Sequence, residues 1–396
     1  MPLSETKHAG ARPRIVLSRR GAARWRDGHP WIFRDDVSAT GAENGQIVQV
    51  ASCAGDPLGT AFYGTRSKIA LRRLAGPGVE PDGAFFESRI DAAIEYRGRV
   101  AEGAEAYRVI SSDADGIPGL IVDRYGPHLV LQALTAGVER ILELLTAHLV
   151  RRLAPASILA RNDVTVRDLE GLPQEVRVLL GEPPGSVEIH EAGLKLRFDL
   201  KEGQKTGGFL DQRENRLAAA SYLRGRVLDA FCYDGGFALH ASRVSEAVEA
   251  VDSSERALAR AAANAALNGL ENVTFTRANV FDFLHDADRT GRRWEGIVLD
   301  PPAFVKSRND LEAGRRAYKE INLRAMRLLS PGGVLVTCSC SYNLREEDFL
   351  GILASAAADA RRRALVVEQR TQARDHPVLL GLPESRYLKC LILRMD

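Results

Sequence analysis

Residues 227–241 read Val-Leu-Asp-Ala-Phe-Cys-Tyr-Asp-Gly-Gly-Phe-Ala-Leu-His-Ala. A short apolar run ends at Asp229, the chain turns at Gly235-Gly236, and an apolar-periodic segment continues through Phe237, Leu239 and Ala241. Buried strand, glycine turn and helix in that order is how an open α/β sheet begins a nucleotide-binding crevice. Glycine at such a turn reaches positive φ without strain and lets the backbone approach a ligand closely. The dinucleotide pattern Gly-x-Gly-x-x-Gly is absent, so the stretch specifies a small adenosine-containing ligand without fixing which.

Outward from this stretch, strands and helices alternate from about residue 191 to the end, the mark of a mostly parallel sheet. The strand cores are Val227–Asp229, Ala247–Val251, Val273–Thr276, Gly296–Leu299, Gly333–Thr337, Leu365–Val367 and Tyr387–Leu393. Helices fall between them, among them Glu255–Asn268 and Leu311–Leu329. Seven strands closing on a C-terminal hairpin predict the methyltransferase variant of the doubly wound sheet, class α/β. Upstream, residues 15–76 are strand-like and glycine-punctuated (Ile15–Leu17, Trp31–Phe33, Ile47–Val50, Gly59–Tyr63, Ile69–Leu74), with one basic helix over Arg19–Arg26. Residues 77–190 mix strands with two apolar-faced helices, Phe85–Val100 and Val138–Leu153, and read as a small central α+β domain. The predicted order is a flexible tail over 1–14, a β-rich domain over 15–76, the central domain over 77–190 and the large sheet over 191–396.

The 396 residues carry a net charge of +2, ordinary hydrophobic content and no apolar run near the ~18 residues a bilayer demands. The N-terminus has no apolar signal core. Five cysteines without Cys-x-x-Cys pairs argue against a disulfide framework or a zinc site and point to the reducing cytoplasm. Charge is uneven: seven Lys/Arg against two acids in the first thirty residues is either a phosphate-binding footprint or a solvated tail. Trp31 and Phe33, beside those arginines, either stack on RNA bases or pack in a core.

Five positions carry chemistry. Asp252 ends the second strand roughly 20 residues after the turn, where an acid meets ribose hydroxyls or caps the following helix. Asn279 follows the third strand, where an amide can meet an adenine amine. Asp300 precedes Pro301-Pro302, a rigid exit that would hold its carboxylate and the next carbonyls against the edge of a flat polar substrate. A Rossmann dehydrogenase has no use for Asp-Pro-Pro there; an enzyme methylating a planar nitrogen heterocycle does, which points to S-adenosyl-L-methionine as cofactor. Cys338 and Cys340 lie at the end of the fifth strand. Carbon 5 of cytosine becomes nucleophilic only after a thiolate adds at carbon 6, so a cysteine here is either that nucleophile or a small buried thiol.

Gly203-Gln-Lys-Thr-Gly-Gly-Phe-Leu-Asp-Gln-Arg213, the glycine turn, Asp300-Pro-Pro-Ala-Phe304 and Thr337-Cys-Ser-Cys-Ser341 together resemble the RlmI-type family of S-adenosylmethionine-dependent ribosomal RNA cytosine-5 methyltransferases. His29–Phe33 looks like the entry to that family's N-terminal PUA domain, and Ser112–Gly126 is similar to its central-domain signature. The resemblance spans nearly the whole chain. It implies that Asp229, Phe231, Tyr233 and Gly235 surround the methionine part of the donor, Asp252 the ribose and Asn279 the adenine. Gln204, Thr206, Phe209, Asp211 and Arg213 would close over it. In the family's register Cys340 is the nucleophile, with the acids Glu346-Glu347-Asp348 downstream supporting that alignment and Cys338 as the fallback. The implied partner is 23S ribosomal RNA, free or in an assembling subunit, with a homodimer left open. Three positions depart from the pattern: Asp234 stands for a Thr, Gly208 for an aromatic (which implies a looser lid), and Ala303 for the second cysteine of two-cysteine relatives. The alternatives are methylation at guanine or an exocyclic amine, and a non-catalytic RNA-binding assembly factor.

Overall fold

The computed structural model describes residues 12–396, so most of the tail predicted over 1–14 lies outside the described residues. Two compact units divide the chain. One runs through Glu102 and adds Tyr107–Gly185 and Leu379–Leu382; the other takes Gly103–Ala106, Ser186–Val378 and Pro383–Asp396.

The first unit holds two sheets. Strand β1 (Arg14–Val16), helix α1 (Arg19–Arg26) and strands β2 (Trp31–Phe33), β3 (Ile47–Ala51), β4 (Pro57–Tyr63) and β5 (Ile69–Ala75) build a sheet of order β1-β3-β4-β5-β2. Ser18 caps α1 by accepting the Gly21 N–H. The helix buries Gly21, Ala22 and Trp25, which turns its arginines outward. The two aromatics of β2 divide. Trp31 donates its indole N–H to Asp113 Oδ1 at 2.9 Å, whereas Phe33 is exposed with the Arg24 guanidinium 4.8 Å over its ring. Helix α2 (Gly83–Val100), strands β6 (Ala106–Ser111), β7 (Leu120–Tyr125) and β8 (His128–Ala133), helix α3 (Ala136–Leu153), strand β9 (Ser157–Arg161), helix α4 (Val166–Glu170) and strand β10 (Val176–Leu180) follow. Their sheet runs β10-β9-β8-β7-β6. Phe62 and Leu74 of the first sheet join Phe86, Ile90, Leu120 and Leu145 in one core, so the segment 15–76 and most of 77–190 fold into a single unit, with Gly103–Ala106 and the residues from Ser186 on belonging to the other.

The second unit opens with the hairpin β11 (Ser186–Glu191) and β12 (Leu194–Asp199). Its two-residue turn, Ala192-Gly193, has positive φ at both positions, the geometry that matches the twist of a tight hairpin. The unit's main segment starts at Ser186, where the sequence places the boundary at 191, because the hairpin register runs from Ser186 opposite Asp199 to Glu191 opposite Leu194. There follow α5 (Arg213–Tyr222), β13 (Arg226–Ala230), α6 (Gly236–Ser242), β14 (Ala247–Asp252), α7 (Glu255–Leu267), β15 (Val273–Arg277), α8 (Val280–Thr290), β16 (Trp294–Leu299), α9 (Leu311–Leu328), β17 (Leu329–Ser339), α10 (Glu346–Ala360), β18 (Ala364–Arg370) and β19 (Lys389–Met395). The seven-stranded sheet has the order β15-β14-β13-β16-β17-β19-β18, and only β19 runs antiparallel to its neighbours. This is the doubly wound class I methyltransferase sheet with its C-terminal hairpin, as predicted. Strand alternation sends Leu228, Leu299 and Leu335 to a core shared with Tyr318 and Phe349. It sends Val227, Val298 and Val336 to the opposite core, with Phe237, Leu258 and Cys338. Strand order reverses between β14-β13 and β16, and such a switch point opens a crevice at the carboxyl ends of the strands. Among the described residues no helix is long and apolar enough to cross a membrane.

Candidate active site

That crevice is a cavity of about 630 Å³, within the range of small-molecule sites. Its floor is the turn after β13. Phe231, Tyr233 and Gly235 alternate at φ +66°, +49° and +84°. For two bulky aromatics this left-handed geometry is strained by of order 1–3 kcal/mol each, and such strain persists where the surroundings over-determine it. The surroundings here are specific: the Phe231 and Cys232 N–H groups both donate to Val251 O, and the Tyr233 N–H donates to Asp252 Oδ2 at 3.0 Å. Gly235 stands at the start of α6, where an added Cβ would lie 3.0 Å from that of Ala261, and it is the next residue, Gly236, that lines the cavity. Asp252 lines the cavity while its other oxygen accepts the Ser254 N–H. The cap of α7 is Ser254.

The far wall is built from strand ends. Asp300 follows β16, and Cys340 lies one residue past β17 with its sulfur 3.8 Å from Pro301 O. Both line the cavity. Burial, followed by the charge of Asp211, pushes the Asp300 carboxyl up to about 7, against the opposing hydrogen bond from Gln212 and the charge of Lys205. Burial and then Asp300 push the Cys340 thiol up to about 11, while Lys205 pulls it down. Cys338 does not line the cavity. It is fully buried, opposite Cys390 in the β17–β19 register.

The segment 204–213 closes the cavity on another side. Gln204 donates its N–H to the Tyr233 hydroxyl at 3.1 Å, and Phe209 meets the Tyr233 ring edge-on with centroids 5.2 Å apart. Asp211 accepts from Lys205 Nζ at 3.0 Å and from the Tyr387 hydroxyl at 2.6 Å. Burial alone would raise the Asp211 carboxyl; Lys205, His376 and the Tyr387 hydrogen bond hold it well below the usual carboxylate range. Gln204, Phe209 and Asp211 face the cavity, whereas buried Thr206 and Arg213, 3.4 Å from Asp375, do not. The looser lid inferred at Gly208 is corrected: an added Cβ there would lie 2.3 Å from the Phe198 ring, which fills the space.

Of the other residues singled out, Asp229 is buried behind the floor and accepts the Ala238 N–H at 2.8 Å; burial raises it to about 8. Asn279 does not reach the cavity: its Oδ1 accepts the Phe281 N–H at 2.9 Å and caps α8. Glu346, Glu347 and Asp348 occupy the first turn of α10, where carboxylates suit the helix dipole, so they say nothing about the cysteine register. Asp234 does line the cavity, and burial raises it to about 6 against the pull of Arg216 and Arg260. Sequence reasoning passed over Lys205 and Gln212, which sat inside a quoted motif, and Arg216, Tyr342, Tyr387 and Leu388, which carried no signal. The sequence places Tyr387 and Leu388 in a strand, but β19 begins at Lys389, and the two residues before it form cavity wall.

The lining suits a cationic adenosine-bearing donor: aromatic walls from Phe209, Phe231, Tyr233 and Phe237, an acid at the ribose position and a second acid, Asp234, beside the glycine turn. No cluster of three metal-ligating side chains occurs among the described residues.

Comparisons with known proteins agree with this geometry. Residues 15–75 match the PUA-like domain family, and residues 133–382 match the S-adenosylmethionine-dependent methyltransferase family. The chain is 39% identical over 393 residues to the ribosomal RNA large subunit methyltransferase I of Klebsiella pneumoniae, covering 97% of this chain and 98% of that one. It is 40% identical over 377 residues to the enzyme of the same name from Erwinia tasmaniensis, covering 93% and 95%. A solved S-adenosylmethionine-dependent methyltransferase from Streptococcus mutans superposes with a TM-score of 0.83 at 23% identity over 96% of this chain and 99% of that one. A second solved structure, a methyltransferase complexed with S-adenosylhomocysteine, gives 0.83 at 21% over the same shares. These two likenesses are of fold. The chain belongs to the ribosomal RNA large subunit methyltransferase I family, S-adenosylmethionine-dependent methyltransferases that carry an N-terminal PUA-like domain.

Proposed function

We propose that this protein methylates carbon 5 of a cytosine in 23S ribosomal RNA, with Cys340 as nucleophile and Asp300 as the group that holds and activates the ring. One observation carries the reading: Cys340 and Asp300 line the same cavity as Asp252 and the glycine turn, while Cys338 is sealed in the core. The donor would rest on Phe231, Tyr233 and Gly235, with Asp252 at its ribose and Gln204, Phe209 and Asp211 above it. When bound it supplies an electrophilic methyl group.

The chain's own residues supply the rest. A carboxyl raised to about 7 is protonated in part at neutral pH, so once the Cys340 thiol has lost its proton to solvent, Asp300 donates to ring nitrogen N3 as the thiolate bonds to carbon 6. Charge that would build on the ring is neutralised at N3, and carbon 5 gains the electron density it needs to take the methyl. The carbon-5 proton then passes to solvent, the sulfur–carbon bond breaks with its electrons on Cys340, and N3 returns its proton to the Asp300 carboxylate, which restores the aromatic ring and frees Cys340 as the thiolate. Lys205 is the cation whose charge favours the thiolate. A target base inside a duplex would be out of reach of both groups, so it enters unpaired or flipped out. The outward arginines of α1 offer phosphate contacts, which make affinity salt-dependent. Five free cysteines suit a reducing cytoplasm.

The test is mass mapping of 23S ribosomal RNA from cells with and without the gene. The reading requires one 5-methylcytidine to disappear and to return with the wild-type gene but not with Cys340→Ala. Loss of a methyl group from guanine or from an exocyclic amine would overturn it.

A further inference from the structure

We propose that Gln212, held by Asn215 and Arg370, is a positioning residue that fixes which oxygen of Asp300 carries the proton. The inference rests on the reading of Asp300 given above. Gln212 is buried against the cavity and donates Nε2–H to Asp300 Oδ1 at 2.9 Å. Its own Oε1 accepts from Asn215 Nδ2 at 2.7 Å, and Asn215 Nδ2 also lies 3.1 Å from Thr371 O. Asn215 Oδ1 in turn accepts from Arg370 Nε at 2.9 Å.

The polarity of this relay is set at its far end. A guanidinium only donates, so Asn215 must turn its oxygen to Arg370. Its NH₂ is thereby presented to Gln212 and to the Thr371 carbonyl, which also only accepts. Gln212 must then offer its oxygen to Asn215 and its NH₂ to Asp300. Neither amide can flip without setting acceptor against acceptor, so the two orientations follow from chemistry. At Asp300 the consequence is that Oδ1 is always an acceptor. When the carboxyl is protonated the proton belongs on Oδ2, which has no hydrogen-bond partner among the described residues. That is the oxygen free to donate to a ring nitrogen. The groups facing this carboxyl are Asp211 and Lys205 of the closing segment, Arg216 of α5, Asp229 of β13 and the thiols of Cys338 and Cys340. None of them sets the oxygen that Gln212 engages.

Two variants separate positioning from packing. Gln212→Met removes the donor at similar volume. Asn215→Asp keeps the Arg370 contact as an ion pair but can no longer donate, so Gln212 turns its NH₂ to the new carboxylate and its oxygen to Asp300, where only a protonated carboxyl can answer. The ionisation of Asp300 is read without turnover as the inflection in the pH dependence of Cys340 alkylation by iodoacetamide, followed by peptide mass mapping, because the Asp300 charge opposes the thiolate. The inflection should move up by about one pH unit in Gln212→Met and further in Asn215→Asp. In steady-state assays kcat should fall about tenfold with KM for RNA and affinity for S-adenosylhomocysteine unchanged. The alkaline limb of kcat should rise with the inflection, since protonated Asp300 is the active form. An unmoved inflection in both variants, or a loss of kcat that tracks only a lower melting temperature, overturns the relay. Asp300→Asn with full activity would instead overturn the catalytic reading of Asp300, and this result is distinct from failure of the relay.

Discussion

The two walls of the cavity are held by different forces. The wall of strand ends, with Asp252, Asp300 and Cys340, stands on β14, β16 and β17, whose alternation packs two apolar cores. The wall of residues 204–213 together with Tyr387 stands on charge: Lys205 and Tyr387 on Asp211, and Arg216 in a bidentate pair with Glu191 at 2.9 and 2.7 Å that also takes His240 at 2.9 Å. Strand ends place reacting atoms within tenths of an ångström because the cores beneath them resist deformation. A wall built on ion pairs is specific yet adjustable, since its energy depends on protonation and on local dielectric. Reacting groups on the rigid wall, and donor-covering groups on the charged one, is the division of labour this molecule displays.

The comparison breaks most sharply at the two cysteines. Cys340→Ala should reduce methyl transfer to background, whereas Cys338→Ala should retain most of the rate and lower stability by about 1 kcal/mol, measured by urea unfolding. A retained rate in the first and a lost rate in the second would reverse their roles. Next in size, Asp300→Asn should lower kcat by about 10²–10⁴-fold, the usual span for a positioned acid. On the charged wall, Glu191→Ala should destabilise the fold by about 3–5 kcal/mol, because Arg216 is left buried without its partner.

The smallest effects are pH-dependent. Asp229 is raised to about 8 in the fold, above its unfolded value, so the folded state binds the extra proton and stability falls as pH rises from about 4 through 8. Asp229→Asn should therefore raise the melting temperature by several degrees at pH 8 and leave it nearly unchanged at pH 4. Glu191, which burial would raise but Arg216 and His240 hold at about 2, works the other way. Its contribution is complete above its unfolded value and is lost as pH falls toward 2. Thermal scans from pH 3 to pH 9 test both signs.

What was legible in the sequence follows the same division. Short apolar runs alternating with helical segments, together with the glycine turn, mark every strand of the large sheet, and with it the positions of Asp252, Asp300 and Cys340. Asn279 sat at the right strand end, but its side chain closes on the first turn of α8, a local choice that competes with any ligand. On the charged wall, the family resemblance supplies Gln204, Phe209 and Asp211 but not the pairing, because Asp211 and Tyr387 meet across 176 residues of chain, and no local pattern records which acid a given base will find. The same holds for Arg370, Asn215 and Gln212, joined across 155 residues. Gly208 shows the limit from the other side. A missing aromatic looked like a gap in the lid, yet Phe198 from β12 occupies it.

The account's central claim, a covalent bond from Cys340 to carbon 6 of the target cytosine, is tested most directly with 23S ribosomal RNA carrying 5-fluorocytidine. Fluorine at carbon 5 cannot leave as a proton does, so the sulfur–carbon bond should persist after methyl transfer. Peptide mapping of the denatured complex should then find one methylated fluorocytidine on Cys340. A linkage to Cys338, or transfer with no protein–RNA linkage at all, would contradict the account.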